Sequence, residues 1–260
     1  MSVLSYLQAR ASSAVLSSSE NASIATSIGA LQSRLNGYFI REGDGLSSHF
    51  KFGSSTRGTI LPRADDSHSD IDYMLVFEKG GFTPQTYLDR LRTFVEKRYS
   101  SSEIYQSNPT IVLELNHIKF DLVPALHQWG NNYRIPDRAG AWQDTAPNDF
   151  NATLEAANEN NSYLVKPTVR LAKIWNAANG YVFDSYAFEK WIAGRLFLFC
   201  SNQRDYLFAV FDNLSATEKA QWRNEKITRA KQIVANVRDY EKNLMPASAE
   251  AEVKKLIPEG

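Results

Sequence analysis

The sequence predicts an α+β protein, a mixed sheet with flanking helices packed on a helical lobe, and three observations carry the prediction. Two apolar runs have strand character: "IDYMLVF" (71–77), and "PTIVLELNHIKFDLVPAL" (109–126), which reads as two strands around an Asn116-His117 turn. Helix-period segments precede and separate these runs. From about residue 156 onward the pattern is mostly helical. A first lobe over residues 1–155, with N-terminal helices, and a second over 156–260 are therefore expected.

The elements follow in order. Residues 22–41 carry Ile24, Ile28, Leu31, Leu35 and Phe39 at steps of three and four, an amphipathic helix expected to end near "REGDG" (41–45). "HFKFG" (49–53) alternates as a strand does. Between the two apolar runs, "TPQTYLDRLRTFVEKRY" (83–99) places Tyr87, Leu88, Leu91 and Val95 on one helix face, with Pro84 in its first turn. In the second half a helix is expected from near Pro167, another over about 185–201, and a long one after "SATE" (215–218), which has the spacing of a capping box.

Composition bounds the function. The chain has 260 residues, 43% hydrophobic and 12% aromatic, enough for a substantial core. Lys plus Arg and Asp plus Glu are 29 each, so a whole-surface affinity for duplex DNA is not indicated. No stretch reaches the roughly 18 consecutive apolar residues of a membrane span, and the N-terminus is too polar for a secretory signal, so a cytoplasmic protein without membrane contact is expected. Cys200 is the single cysteine, which excludes an intrachain disulfide or Cys-based zinc site. In the run "LFLFC" it reads as an inert buried thiol.

"DSHSDID" (66–72) puts three carboxylates and two hydroxyls directly before an apolar strand. Strand residues two apart share a face, so Asp70 and Asp72 project together while Ile71, Tyr73, Leu75 and Phe77 fill the other face. In the later strand Asp121 lies on one face with Lys119 and Val123, and a sheet could bring it beside the pair. With no matching basic cluster, three convergent carboxylates suit hard divalent cations, Mg²⁺ being typical where a substrate brings phosphate oxygens. On "SDID" alone, aspartates that end a loop and cap a strand account for the pattern equally well. Upstream, "FGSSTRGT" (52–59) offers Gly53, Ser54 and Arg57 at a turn with backbone N–H groups and hydroxyls, a phosphate cradle that lacks the spacing of a P-loop. Asp65 and Asp66 read as solvated loop charges, and His68 as a loop histidine. His117 and His127 do not pair into a metal spacing.

Together these motifs resemble a known family. "FGSSTRGTIL", "SDIDYMLVF" and "KFDLVPA" are similar to the Gly-Ser motif, Asp-x-Asp motif and third aspartate of the polymerase β-type nucleotidyltransferases, and within them to the cGAS/DncV-like branch of bacterial antiphage defence (CD-NTases). "YRIPDRAGAWQDTAPNDF" (133–150) resembles that branch's post-catalytic segment, and "KPTVRLAKIWNA" (166–177) with "DSYAFEKWI" (184–192) its spine helix and the next helix. The resemblance covers about residues 40–195. It implies a polymerase β-like catalytic lobe over 1–155 and a helical lobe over 156–260 that completes a nucleotide pocket.

It also implies a chemistry. Asp70, Asp72 and Asp121 would be catalytic and hold two Mg²⁺ ions, with Mn²⁺ as a substitute. Gly53 and Ser54 would hold the β- and γ-phosphates, with Arg57 beside them. Lys173 maps onto a triphosphate-contacting lysine in a basic stripe with Lys166 and Arg170, Ser185 onto a serine that reaches the phosphates, and Tyr186 onto an aromatic that stacks on the donor base. The implied reaction joins nucleoside triphosphates, ATP or others, into a cyclic di- or oligonucleotide messenger in the cytoplasm of a bacterium and releases pyrophosphate. Regulatory or effector proteins of a defence operon would be partners. Open alternatives are transfer of one nucleotide to a protein, small molecule or RNA end, and synthesis of linear oligoadenylate.

Overall fold

A computed structural model describes residues 2–39, 45–107 and 109–260. The chain divides into two compact units. One comprises residues 17–57 and 68–151; the other comprises residues 1–16, 58–67 and 152–260. The boundary expected near 155 thus lies at 151/152. The N-terminal helix and the segment 58–67, expected in the first lobe, group with the helical half.

The first unit is built on a mixed sheet. Its strands are β1 (Leu46–Lys51), β2 (Asp70–Phe77), β3 (Glu103–Ser107), β4 (Thr110–Glu114), β5 (Lys119–His127), β6 (Tyr133–Pro136) and β7 (Trp142–Thr145). The order is β1-β2-β5-β4-β3, with β6 pairing β5 and β7 pairing β6. Only β2 and β5 run parallel among these pairs, and their register sets Asp70 opposite Lys119 and Asp72 opposite Asp121. The Asn116-His117 turn is present, closed by Leu115 N donating to Ile118 O at 2.9 Å.

Two helices of this unit supply apolar residues for one face of the sheet. They are α2 (Ser18–Phe39) and α4 (Pro84–Arg98), named after the N-terminal helix α1 (Val3–Ser13) and the single turn α3 (Ser54–Arg57). Leu31, Leu35 and Phe39 of α2, Tyr87, Leu91 and Phe94 of α4, and Ile71, Tyr73, Leu75, Phe77, Phe120 and Leu122 of the strands are all buried. Edge-on ring contacts join Phe39 to Phe77 at 5.5 Å and Tyr38 to Phe94 at 5.3 Å. Helix α2 starts where "SSSE" provides a capping box: Glu20 N donates to Ser17 Oγ at 3.2 Å and Ser17 N to Glu20 Oε2 at 2.8 Å. Most of its expected end, at 41–44, lies outside the described residues.

The second unit is helical: α1, most of α5 (Asp149–Asn160), α6 (Val165–Ala178), α7 (Ser185–Ala193), α8 (Gln203–Asp212), α9 (Gln221–Lys242) and α10 (Pro246–Leu256). Its core includes Trp175 of α6, 2% exposed, whose ring meets that of Phe211 at 5.2 Å. Three expectations change here. Helix α7 stops at Ala193, before Gly194, instead of continuing to 201. The capping box at 215–218 does not form: α9 begins at Gln221, and Glu218 N donates instead to Asn224 Oδ1 at 2.8 Å, with Asn224 Nδ2 donating back to Glu218 O at 2.8 Å. Cys200 is half-buried rather than buried, and burial pushes its thiol pKa up.

Candidate active site

The sheet face opposite α2 and α4 changes character along its strands. At one end Met74, Val76 and Ala125 are buried with Phe50, Phe52, Tyr133 and Ile135 packed on them. At the other, Asp70 and Asp72 of β2 stand beside Lys119 and Asp121 of β5, because strand alternation and the parallel register put all four on one face. Neighbouring strands lie about 4.8 Å apart, so these charges are forced together.

Gly53 lies against this cluster. Its φ is +73°, and a Cβ built there would sit 1.9 Å from Asp72 Oδ2, so both conformation and space require glycine. The turn that follows is fastened by its own hydroxyls: Thr56 Oγ1 donates to Gly53 O at 2.8 Å and Ser55 Oγ to Phe52 O at 3.1 Å. Ser54 is half-buried at the start of α3. Arg57 is turned inward, 5% exposed, with its guanidinium 5.7 Å from the Phe150 ring centre.

The electrostatics differ from the expectation of carboxylates with no basic neighbour. Lys119 Nζ is 3.3 Å from Asp70 Oδ2 and 3.8 Å from Asp121 Oδ1. Burial pushes the Asp121 carboxyl up to about 6, Asp70 adding to the rise and Lys119 opposing it. Burial works against the Lys119 ammonium as well, but Asp121 and Asp70 outweigh it and raise its pKa. Asp121 Oδ1 is buried with no hydrogen-bond partner among the described residues. As the side chains stand, no three His, Cys, Asp or Glu residues among those described form a group that could hold a metal ion. The donor set nevertheless fits a hard cation: three carboxylates, one with an orphaned oxygen, and a glycine that leaves room beside another.

The other nucleotide candidates belong to the helical unit. Lys173 is 7% exposed and its ammonium donates to Thr59 O at 2.8 Å; Arg170 Nη1 donates to Gly58 O at 3.0 Å; Lys166 is paired with Glu155. The expected open basic stripe is therefore largely spent on carbonyls and a carboxylate. Asp184 caps α7 by accepting from Ala187 N at 2.8 Å, placing Ser185 in the first turn, half-buried. Tyr186 is 46% exposed, not a core tyrosine, with Lys190 Nζ 5.5 Å from its ring centre.

Segment 58–67 is anchored rather than solvated. Thr59 Oγ1 donates to Glu189 at 2.7 Å, Arg10 pairs with Asp65, and Tyr181 donates to Asp66, which is 8% exposed. Asp65 and Asp66 are thus structural ion-pair and hydrogen-bond partners, contrary to the sequence expectation. His68 is exposed in the turn that follows. His117 contacts Ser27 Oγ and His127 contacts Gly130 O, and neither joins a metal group.

This fold, a mixed sheet carrying an Asp-x-Asp strand paired with a third-aspartate strand and a Gly-Ser turn beside them, is that of the polymerase β-type nucleotidyltransferases. The chain belongs to the Second Messenger Oligonucleotide or Dinucleotide Synthetase domain family, whose profile matches residues 1–158. It is accordingly an enzyme of the oligonucleotide or dinucleotide synthetase class. No curated protein matches it in sequence. Among solved structures it is similar in fold to Escherichia coli MS115-1 CdnC with ATP, at 18% identity and TM-score 0.74 over 98% of each chain. A second is Bradyrhizobium diazoefficiens CdnG in complex with GTP, at 12% identity and TM-score 0.71 over 96% of this chain and 97% of that one. A third is Vibrio cholerae DncV cyclic AMP-GMP synthase, at 10% identity and TM-score 0.64 over 81% and 68%. Among the described residues no helix is long and apolar enough to cross a membrane.

Proposed function

We propose that this chain condenses nucleoside triphosphates into a cyclic di- or oligonucleotide second messenger of bacterial antiphage defence (CBASS), with release of pyrophosphate, and that Asp70, Asp72 and Asp121 are its catalytic residues. The observation that carries the reading is the shared placement of the three aspartates on one sheet face, with Gly53 held against Asp72. Family membership supports the reaction class. The ATP and GTP bound to CdnC and CdnG support nucleoside triphosphates as substrates here.

In this reading Asp70, Asp72 and Asp121 would hold two Mg²⁺ ions, replaceable by Mn²⁺, and the bound metal would supply charge neutralisation of the triphosphate and a lowered pKa for the attacking hydroxyl. The protein's part is positioning. Gly53 keeps the turn close enough for its backbone N–H groups and the Ser54 hydroxyl to hold the β- and γ-phosphates, so that the leaving group lies opposite the attacking 2′- or 3′-hydroxyl. Arg57, being buried against Phe150, shapes that turn. Asp121, set in the neighbouring strand, would be the carboxylate that serves the acceptor hydroxyl. In the helical unit Ser185 would reach the phosphates, and the exposed Tyr186 ring would stack on the donor base. Lys173 would add a phosphate oxygen to its bond with Thr59, since an ammonium carries three donors. The complex of E. coli CdnC with HORMA-deltaN supports control by a partner protein of the same defence system.

Incubation with all four labelled nucleoside triphosphates and Mg²⁺ or Mn²⁺, followed by nuclease digestion and mass spectrometry, tests the proposal. A nuclease-resistant ring and free pyrophosphate are expected. Linear oligoadenylate alone would replace cyclisation by the linear alternative. Intact nucleotides that are consumed only when a protein, small molecule or RNA end is added would replace it by single transfer.

A further inference from the structure

Lys119 has no role in the reading above, yet it is the charged side chain built most directly into the aspartate cluster. It opposes Asp70 across the parallel β2–β5 pair and lies two residues before Asp121 on the same face. Glu114 opposes it on its other side, on β4. Its side chain is 16% exposed, and those of Asp70 and Asp121 are 27% and 19%. An ammonium at this depth is held by charge, not by chance solvation. Its geometry is uneven: 3.3 Å to Asp70 is a bonded contact, but 3.8 Å to Asp121 Oδ1 is too long for a hydrogen bond and leaves that oxygen orphaned. Lys119 therefore balances the charge of the pair while leaving Asp121 Oδ1 unsatisfied. A small divalent ion, ligated at about 2.1 Å, would satisfy that oxygen, but an ion bound to both carboxylates would lie close to an ammonium already 3.3 Å from one and 3.8 Å from the other, and the two cations would repel.

From this geometry we infer that Lys119 is a resident counter-cation of the aspartate cluster, which a divalent ion must displace to bind Asp70 and Asp121 together. This positioning residue sets the threshold for metal loading. It lets the strands carry adjacent carboxylates before substrate arrives, and it disfavours metal capture until a triphosphate adds negative charge to the site. The inference rests on the assignment of the aspartates as metal ligands.

The test is Mn²⁺ binding to the full chain without nucleotide, followed by electron paramagnetic resonance of free Mn²⁺, for the wild type, Lys119→Met, Lys119→Arg and Asp121→Asn. Lys119→Met is expected to bind Mn²⁺ about tenfold more tightly or better, from removal of one positive charge beside the site. In chelator its melting temperature is expected to fall by about 4 °C or more, with Mn²⁺ restoring it. Lys119→Arg, which keeps the charge, is expected to behave as the wild type. Unchanged or weaker binding by Lys119→Met, with Asp121→Asn binding lost, would overturn the inference and leave the aspartate assignment standing. Mn²⁺ binding by Asp121→Asn as tight as that by Lys119→Met would overturn both. Should Lys119→Met fail to fold, Lys119→Gln in the same titration decides between these outcomes.

Discussion

The two ends of one sheet face carry opposite chemistries on the same pair of strands. Two residues beyond Asp72 and Asp121, the same alternation presents Met74 and Val123, 0% and 3% exposed. Nothing in the backbone distinguishes the ends, since β2 and β5 stay in parallel register from Asp70–Lys119 to Phe77–Leu126. The difference lies in the neighbours. At the apolar end Phe50 of β1, Phe52 just after it, and Tyr133 and Ile135 of β6 cover the strands. At the acidic end a glycine replaces a side chain, and a lysine replaces a hydrophobic contact. A dry, apolar half thereby holds a charged half in fixed register.

The comparison can be broken first at the acidic end. Asp72→Asn keeps size and hydrogen-bonding capacity while removing the charge. Turnover is expected to fall by about a thousandfold or more, in line with several kcal/mol of lost electrostatic stabilisation, with the melting temperature nearly unchanged. A pyrophosphate-release assay beside a thermal melt reads both. At the apolar end the outcome reverses: Val76→Asp buries an unpaired carboxylate and is expected to cost about 3–5 kcal/mol of stability, seen as a lowered denaturant midpoint or loss of soluble protein.

Gly53→Ala acts on the border of the acidic end. Its Cβ would drive into Asp72 Oδ2 at 1.9 Å from a positive-φ position, so Asp72 must move. A loss of about 1–3 kcal/mol in stability is expected, together with an activity loss of about tenfold or more, measured by melting and by initial rates. The last effect is on pH. The Asp121 carboxyl titrates near 3.8 when unfolded and at about 6 in the fold, so between these values the folded chain holds a proton that the unfolded chain lacks. Stability in chelator is therefore expected to fall as pH rises from about 4 to about 6, by at most about 2–3 kcal/mol. Asp121→Asn removes that slope, and urea melts across the window measure it.

Much of this was legible in the sequence, for stated reasons. The runs around β2, β4 and β5 are long and apolar enough to announce strands, and period two alone assigns Asp70 and Asp72 to one face. Strands β6 and β7, four residues each and rich in polar side chains, give no such signal. Helix α10 carries only a short signal, Pro246 at its first turn. Two serine-to-glutamate spacings look alike, but only that at Ser17 closes as a capping box, because Asn224 claims the Glu218 backbone at the other. The place of Lys119 opposite Asp70 depends on a parallel register between segments 49 residues apart in number, from 70 to 119, which local pattern cannot supply. The anchoring of Asp65 and Asp66 by Arg10 and Tyr181 is hidden for the same reason: the partners are distant in sequence.

The most direct measurement of the central claim is product formation from nucleoside triphosphates alone by the wild type and by Asp70→Asn, Asp72→Asn and Asp121→Asn, each shown to be folded by its thermal melt. A cyclic oligonucleotide and pyrophosphate from the wild type, and neither from any folded variant, is the predicted result. Product formed at the wild-type rate by any of the three would contradict it.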